Sequence, residues 1–307
     1  MRFTFTSGTL RRVVIAHVGG PQVDVLQLAP LVVAAVMYGL RARTLAAESR
    51  PVPALRQVSW YAGLALIGLT LSSPLGHMAS ELFVAHMSEH LLIAELGALL
   101  LVLGLTGPVL VPVLRVRELR WLERLAQPGP ALVLWTLNLV FWHVPGPHEA
   151  ALRSEPIHAL QHMLFVGCAF NAWMALLGPL PKPAWFGTWA KLGYVIALRL
   201  ISTVVANVFV WSGTPLYDAY RPGEREWGIS PLSDQVAAGS VMMVEGSIVT
   251  ICVLCWLFLR AGREDDEALA LDELAAARGV ALPEGRAARA VAAGRGAELR
   301  ARIERGG

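Results

Sequence analysis

The sequence predicts an all-α, polytopic membrane helix bundle with a charged C-terminal tail. Three observations carry that prediction. Only 16% of the 307 residues are charged and 55% are apolar, whereas an ordinary soluble domain is about 25% charged. Seven apolar stretches are long enough to cross a bilayer, which takes roughly 20 helical residues. The charge is also uneven: residues 260–307 hold eighteen of the 49 Lys, Arg, Asp and Glu side chains. This composition excludes a coiled coil, a collagen, a disordered chain and a disulfide-rich module as descriptions of the whole.

The spans fall near residues 22–40, 57–76, 82–104, 130–145, 157–178, 190–212 and 234–259. The fourth is the shortest. Pro-, Gly- and Arg-bearing connectors separate them, among them Arg50-Pro51-Val52-Pro53 and Gln127-Pro128-Gly129-Pro130. Arginine placement sets the orientation. Arg41, Arg43, Arg50 and Arg56 follow span one; Arg115, Arg117, Arg120 and Arg124 follow span three; Lys182 and Lys191 follow span five. The alternate connectors are poorer in base. The pattern predicts the N-terminus outside and the C-terminus in the cytoplasm, against a weak opposing signal from Arg2, Arg11 and Arg12.

Residues 1–21 then form an extracytoplasmic segment without the apolar core of a cleaved signal peptide. Residues 22–259 form the seven-helix membrane domain. Residues 260–307 form a cytoplasmic tail, partly helical or disordered, with too few large apolar residues for a stable core. Three cysteines make no disulfide framework. Cys252 and Cys255 sit in an apolar run and read as small packing residues. No basic face suits nucleic acid; the expected surroundings are membrane lipid.

The eight histidines are His17, His77, His86, His90, His143, His148, His158 and His162. In this orientation all lie outside or in the outer half of a span. Two pairs, His86/His90 and His158/His162, have i,i+4 spacing, which places both imidazoles on one helix face. Two such helices facing each other supply four nitrogens, and imidazole suits copper, zinc, iron and nickel. His77 and His143 are further candidate ligands at the same level. His17 and His148 read as loop histidines. The plain alternative is that the histidines hydrogen-bond between helices.

Met78, Met87 and Met163 each follow a histidine and offer soft thioethers. Successive residues diverge by about 100° on a helix, so Met87 and Met163 read as core or lipid-facing. Asp24 and Asp234, at the outer ends of spans one and seven, are either partners of the imidazoles or interfacial caps. Glu95, Arg199 and Glu245 lie deeper. A Glu95–Arg199 ion pair with Glu245 competing is the structural expectation. His86-Met87-Ser88-Glu89-His90 also fits the H-x-x-E-H pattern of one zinc-peptidase group, with Glu89 as base. The matching place in the second pair is Gln161, and no complete catalytic constellation is present.

These residues resemble the CtaG-type cytochrome c oxidase assembly proteins, the seven-span family linked to caa-type oxidases. The matching stretches are Val23-Asp24-Val25, Tyr38-Gly39-Leu40-Arg41, Ser72-Ser73-Pro74-Leu75, His86-Met87-x-x-His90, Gly104 to Pro108, Phe141-Trp142-His143, Pro156-Ile157-His158-x-x-x-His162, Leu232-Ser233-Asp234-Gln235 and Ala238 to Met243. They cover about residues 22–259. Ala98-Leu99 stands where the family often has a proline pair, and Asn171-Ala172-Trp173 where it often has Phe-Trp.

The resemblance implies a non-enzymatic role in the bacterial plasma membrane: copper handling for insertion into cytochrome c oxidase. It implies oxidase subunits as partners, and periplasmic copper chaperones as a source. Haem held by the same histidines is the main alternative, intramembrane zinc proteolysis a lesser one, and a metal-free scaffold a third.

Overall fold

A computed structural model describes residues 25–306 apart from 293. Asp24 and His17 therefore lie outside the described residues. Those described form helices and connectors with no strand. In chain order the helices are α1 (Val25–Ala47), α2 (Ala54–Leu71), α3 (Pro74–Met78), α4 (Phe83–His90), α5 (Ala98–Gly104), α6 (Gly107–Arg115), α7 (Trp121–Leu125), α8 (Pro128–His143), α9 (Pro145–Arg153), α10 (Glu155–Leu177), α11 (Thr188–Trp211), α12 (Arg221–Trp227), α13 (Pro231–Ala277), α14 (Arg286–Ala292) and α15 (Gly296–Glu304). A π-helical stretch, Leu91–Gly97, joins α4 to α5 into one rod.

Five of these are long and apolar enough to cross a membrane: α1, the Phe83–Gly104 rod, α10, α11 and α13. The other two predicted spans correspond to α2, of 18 residues, and α8, of 16. Prolines explain the shortness of α8. Pro128 sits in its first turn, where a missing N–H costs nothing, and Pro145 stands two residues past its last residue and starts the next helix. Large apolar side chains are exposed on the spanning helices, for example Val204 at 66% and Leu200 at 59% on α11. That surface suits lipid rather than water.

The chain divides into two compact units. One is the chain up to Phe186 with Ile196–Ser247; the other is Gly187–Val195 with Ile248–Gly307. In the first unit α2 packs on the α4–α5 rod, and α10 packs on both the rod and α8. Small residues permit this closeness, as is usual between membrane helices. A Cβ at Gly104 would lie 2.7 Å from the Trp60 Cβ and 2.8 Å from its backbone N. Tyr38 stacks on Trp60 with ring centroids 4.7 Å apart, and its hydroxyl donates to the Gly104 carbonyl at 3.0 Å. Gly104→Ala is therefore expected to destabilise the bundle by about 1–3 kcal/mol through overpacking, seen as a lower melting midpoint in detergent.

Arginines satisfy the far end of the rod. Arg56 donates to the Leu103 carbonyl at 2.6 Å, and Arg41 to the Pro108 carbonyl at 2.9 Å. The Leu103 carbonyl lies in the last turn of α5, and the Pro108 carbonyl lacks an intrahelical partner because Pro112, four residues on in α6, has no N–H. The same rod thus carries histidines near its beginning and meets arginines at its end.

The tail differs from its sequence expectation. α13 continues without a break to Ala277, and α14 and α15 pack against it around Leu271, Ala275, Ala287, Val291, Leu299 and Ile303. A small core forms because buried alanines let short helices approach closely, so few large side chains are needed. Cys252 and Cys255 are exposed on α13 rather than packed.

The expected Glu95–Arg199 ion pair does not form. The Arg199 guanidinium donates to the Met243 carbonyl at 2.6 Å and to Ser247 Oγ at 2.8 Å. Gly246 makes room for it: a Cβ there would lie 2.7 Å from an Arg199 guanidinium nitrogen. Glu95 and Glu245 face each other instead.

Candidate metal centre

Helix α4 begins at a cap supplied from far along the chain. Asp234 Oδ2 accepts from the Phe83 N–H at 2.7 Å, and Oδ1 from the Val84 N–H at 3.0 Å. Two of the free donors at that helix end are thereby satisfied by a carboxylate, which the helix dipole also favours. Asp234 is 1% exposed. It caps α4 rather than its own helix and belongs to neither histidine ligand group. Fixing the start of α4 fixes the bearing of His86, Glu89 and His90, one to two turns on.

The two histidine pairs face each other. His86 and His158 stack at 5.5 Å between ring centroids, with 17° between planes. His90 and His162 are 5.1 Å apart at 76°. Within each pair the rings are 4.3 Å apart. Ligand atoms of His86, His90 and His158 all lie within 4.8 Å of one another, and so do those of Glu89, His158 and His162. Nitrogens about 2.0–2.1 Å from one ion sit about 3–4 Å apart, so modest side-chain adjustment brings either group onto an ion.

Ring tautomers follow from the partners. His86 Nδ1 lies 3.3 Å from the Ala79 carbonyl, and His162 Nδ1 lies 3.0 Å from Gln27 Oε1. An oxygen of that kind only accepts, so Nδ1 carries the proton and Nε2 presents its lone pair. This is how ligating histidines are oriented by their outer partners. Both Nε2 atoms are buried with no hydrogen-bond partner among the described residues, as are both ring nitrogens of His90 and Oε2 of Glu89. Buried polar atoms are normally satisfied. A group of orphaned lone pairs aimed at one space fits a cation.

Glu89 strengthens that fit. It is 2% exposed, and its Oε2 lies 3.6 Å from His162 Nε2. A buried carboxylate without a cation costs several kcal/mol.

The remaining sequence candidates are placed differently. His77 is partly exposed, with Nε2 4.0 Å from Glu81 Oε1, and belongs to neither ligand group. His143 also stands outside both. Its Nδ1 is 2.6 Å from the Leu139 carbonyl and its ring lies against Phe165 and Phe209. Met87 packs among Phe83, Phe209 and Tyr217, Met163 is half-exposed, and Met78 ends α3.

His148 is the residue that sequence reasoning missed. Read as a loop histidine, it is 1% exposed on α9, with its ring 4.9 Å from that of His86. Its Nδ1 is 3.3 Å from the Trp142 carbonyl and its Nε2 2.8 Å from the Tyr220 hydroxyl. Burial, with His143 nearby, pushes it down to about 3, so it is neutral and accepts from Tyr220. Tyr217 Oη donates to the His143 carbonyl at 2.7 Å. Together these residues close the site on one side. The clue in the sequence was a histidine in a connector of only 11 residues between two spans, too short to carry it far from either.

Tyr217→Phe removes the hydroxyl but keeps the ring against Phe83 and His148. The expected cost is about 1 kcal/mol, read as a small drop in melting midpoint with metal binding retained.

Residues 36–264 match the family model of the cytochrome c oxidase caa3 assembly factor (Caa3_CtaG). No curated protein and no solved structure matches the chain. The match spans the helices that build the histidine cluster and most of the described chain, and by it the protein belongs to the cytochrome c oxidase caa3 assembly factor family.

Proposed function

We propose that this protein handles copper for insertion into cytochrome c oxidase, holding the ion as cargo between α4 and α10 at His86, His90, His158 and His162. One observation carries the reading: two i,i+4 histidine pairs converge, with the buried Nε2 atoms of His86 and His162 lacking a hydrogen-bond partner among the described residues. The family supplies the oxidase as the system served. The protein is read as a seven-span plasma-membrane protein with its N-terminus outside, so that the cluster opens toward the side from which periplasmic copper chaperones deliver.

Each part of the chain has a physical task in this reading. His86 and His162 are held in one tautomer by Ala79 and Gln27. Imidazole ligands leave the ion exchangeable, as cargo requires, whereas thiolates would hold it more tightly. The aromatic wall of Phe83, Tyr217 and Tyr220 keeps water from the ligands.

Haem on the same histidines fits less well. The ring of His86 is already flanked by His90, His148 and His158 within 5.5 Å, which leaves no flat slot for a macrocycle. A zinc peptidase needs an open position for water and substrate, and here Glu89, His86 and His90 are all buried. Visible spectroscopy and metal analysis of the purified protein test the reading. About one copper is expected, lost in His86→Ala and His158→Ala. A Soret band responding to dithionite would overturn it.

A further inference from the structure

The cluster contains two overlapping ligand groups rather than one, and they differ in charge. His86, His90 and His158 offer three neutral nitrogens; Glu89, His158 and His162 offer two nitrogens and a carboxylate oxygen. His158 belongs to both. We propose that these are two positions for one ion, separated by its charge: a monovalent ion, Cu(I), at the all-imidazole group, and a divalent ion, Cu(II) or Zn(II), at the group containing Glu89. This rests on the reading of the cluster as a metal site.

Three features of the structure support the division. First, Glu89 is buried at 2% exposure, and its Oε2 has no hydrogen-bond partner among the described residues. Its closest basic neighbour among the described residues is a histidine, His162, at 3.6 Å. A carboxylate so placed attracts the more highly charged ion. A divalent ion among neutral imidazoles alone would keep its full charge in an apolar surrounding, which is the costlier arrangement.

Second, the small residue Gly76 stands beside the carboxylate. A Cβ there would lie 3.2 Å from Glu89 Oε1, so the glycine leaves that oxygen its place. Third, one ligand private to each position has its own orienting partner: His86 is held by the Ala79 carbonyl and His162 by Gln27.

The shared ligand makes the positions alternatives. The His158 ring is 5.5 Å from that of His86 and 4.3 Å from that of His162. An ion of either charge draws His158 into its own group and leaves the other group one ligand short.

The experiment uses the purified full-length protein in detergent. Cu(I) is supplied without oxygen against a competing chelator, and Zn(II) separately against its own. Glu89→Gln is expected to weaken Zn(II) by at least about tenfold, in line with losses at metal-supporting residues, and Cu(I) by less than about threefold. His90→Ala is expected to do the reverse. His158→Ala is expected to lose both.

A variant that keeps one ion at wild-type strength is folded, so each is its own control. Should Glu89→Gln fail to fold, His162→Ala removes the other ligand private to the divalent position and is read in the same way. Parallel losses of both ions in Glu89→Gln and His90→Ala, or no loss in either, would overturn the two positions while leaving copper handling intact. A wild-type protein that binds neither ion overturns both proposals.

Discussion

Replacing His158 by alanine is expected to strip copper from the purified protein and to leave the client oxidase short of copper. His158 is the ligand common to both groups at the α4–α10 interface. Its loss leaves at most two nitrogens or one nitrogen and a carboxylate on either side. Removing even an outer partner of a metal ligand costs about 10–100-fold in affinity, and the loss of a direct shared ligand exceeds that. His77→Ala is the contrast, because His77 is partly exposed beside Glu81 and outside both groups. It is expected to change copper retention by less than about twofold. Metal analysis of the purified variants and of the oxidase made beside them checks the pair.

The largest structural effect is expected at a residue that touches no ligand. Asp234→Ala leaves the Phe83 and Val84 N–H groups without an acceptor at the buried start of α4. Capping losses run to about 2 kcal/mol, and hydrogen bonds to a charged group contribute about 1.5–3 kcal/mol each. The two views describe the same contacts, so the expected destabilisation is about 2–4 kcal/mol. Copper retention should fall with it, because His86 lies one turn from the cap. Asp234→Asn keeps one acceptor oxygen and should recover roughly half of the loss, measured by thermal melting in detergent and by copper content of the folded fraction. A purely electrostatic role at a distance would give Asn and Ala the same result.

The helices were legible because their determinants are local. Long apolar runs, proline and glycine boundaries and arginine-bearing connectors mark the five long apolar helices near the places where they form. The i,i+4 histidine pairs were legible for the same reason, since one helix face follows from spacing alone.

Other features depend on contacts remote in sequence. Asp234 and Phe83 are 151 residues apart, and nothing near either shows that they meet. His148 looked like a loop histidine because its burial comes from Tyr220, 72 residues away. The Glu95–Arg199 pair failed for a similar reason: equal depth in a membrane does not reveal that Ser247 and the carbonyl of Met243 already hold the guanidinium. The tail misled in another way. Alanine was counted as too small to form a core, whereas in short packed helices it permits the close approach that buries Leu271 and Ile303.

The most direct test of the central claim is copper X-ray absorption on the full-length protein loaded with Cu(I). Copper is expected to be retained in a shell of about three imidazole nitrogens with no sulfur neighbour, since Met87 packs in the aromatic cluster and Met163 is half-exposed. A spectrum dominated by sulfur, or a protein that retains no copper after desalting, would contradict it.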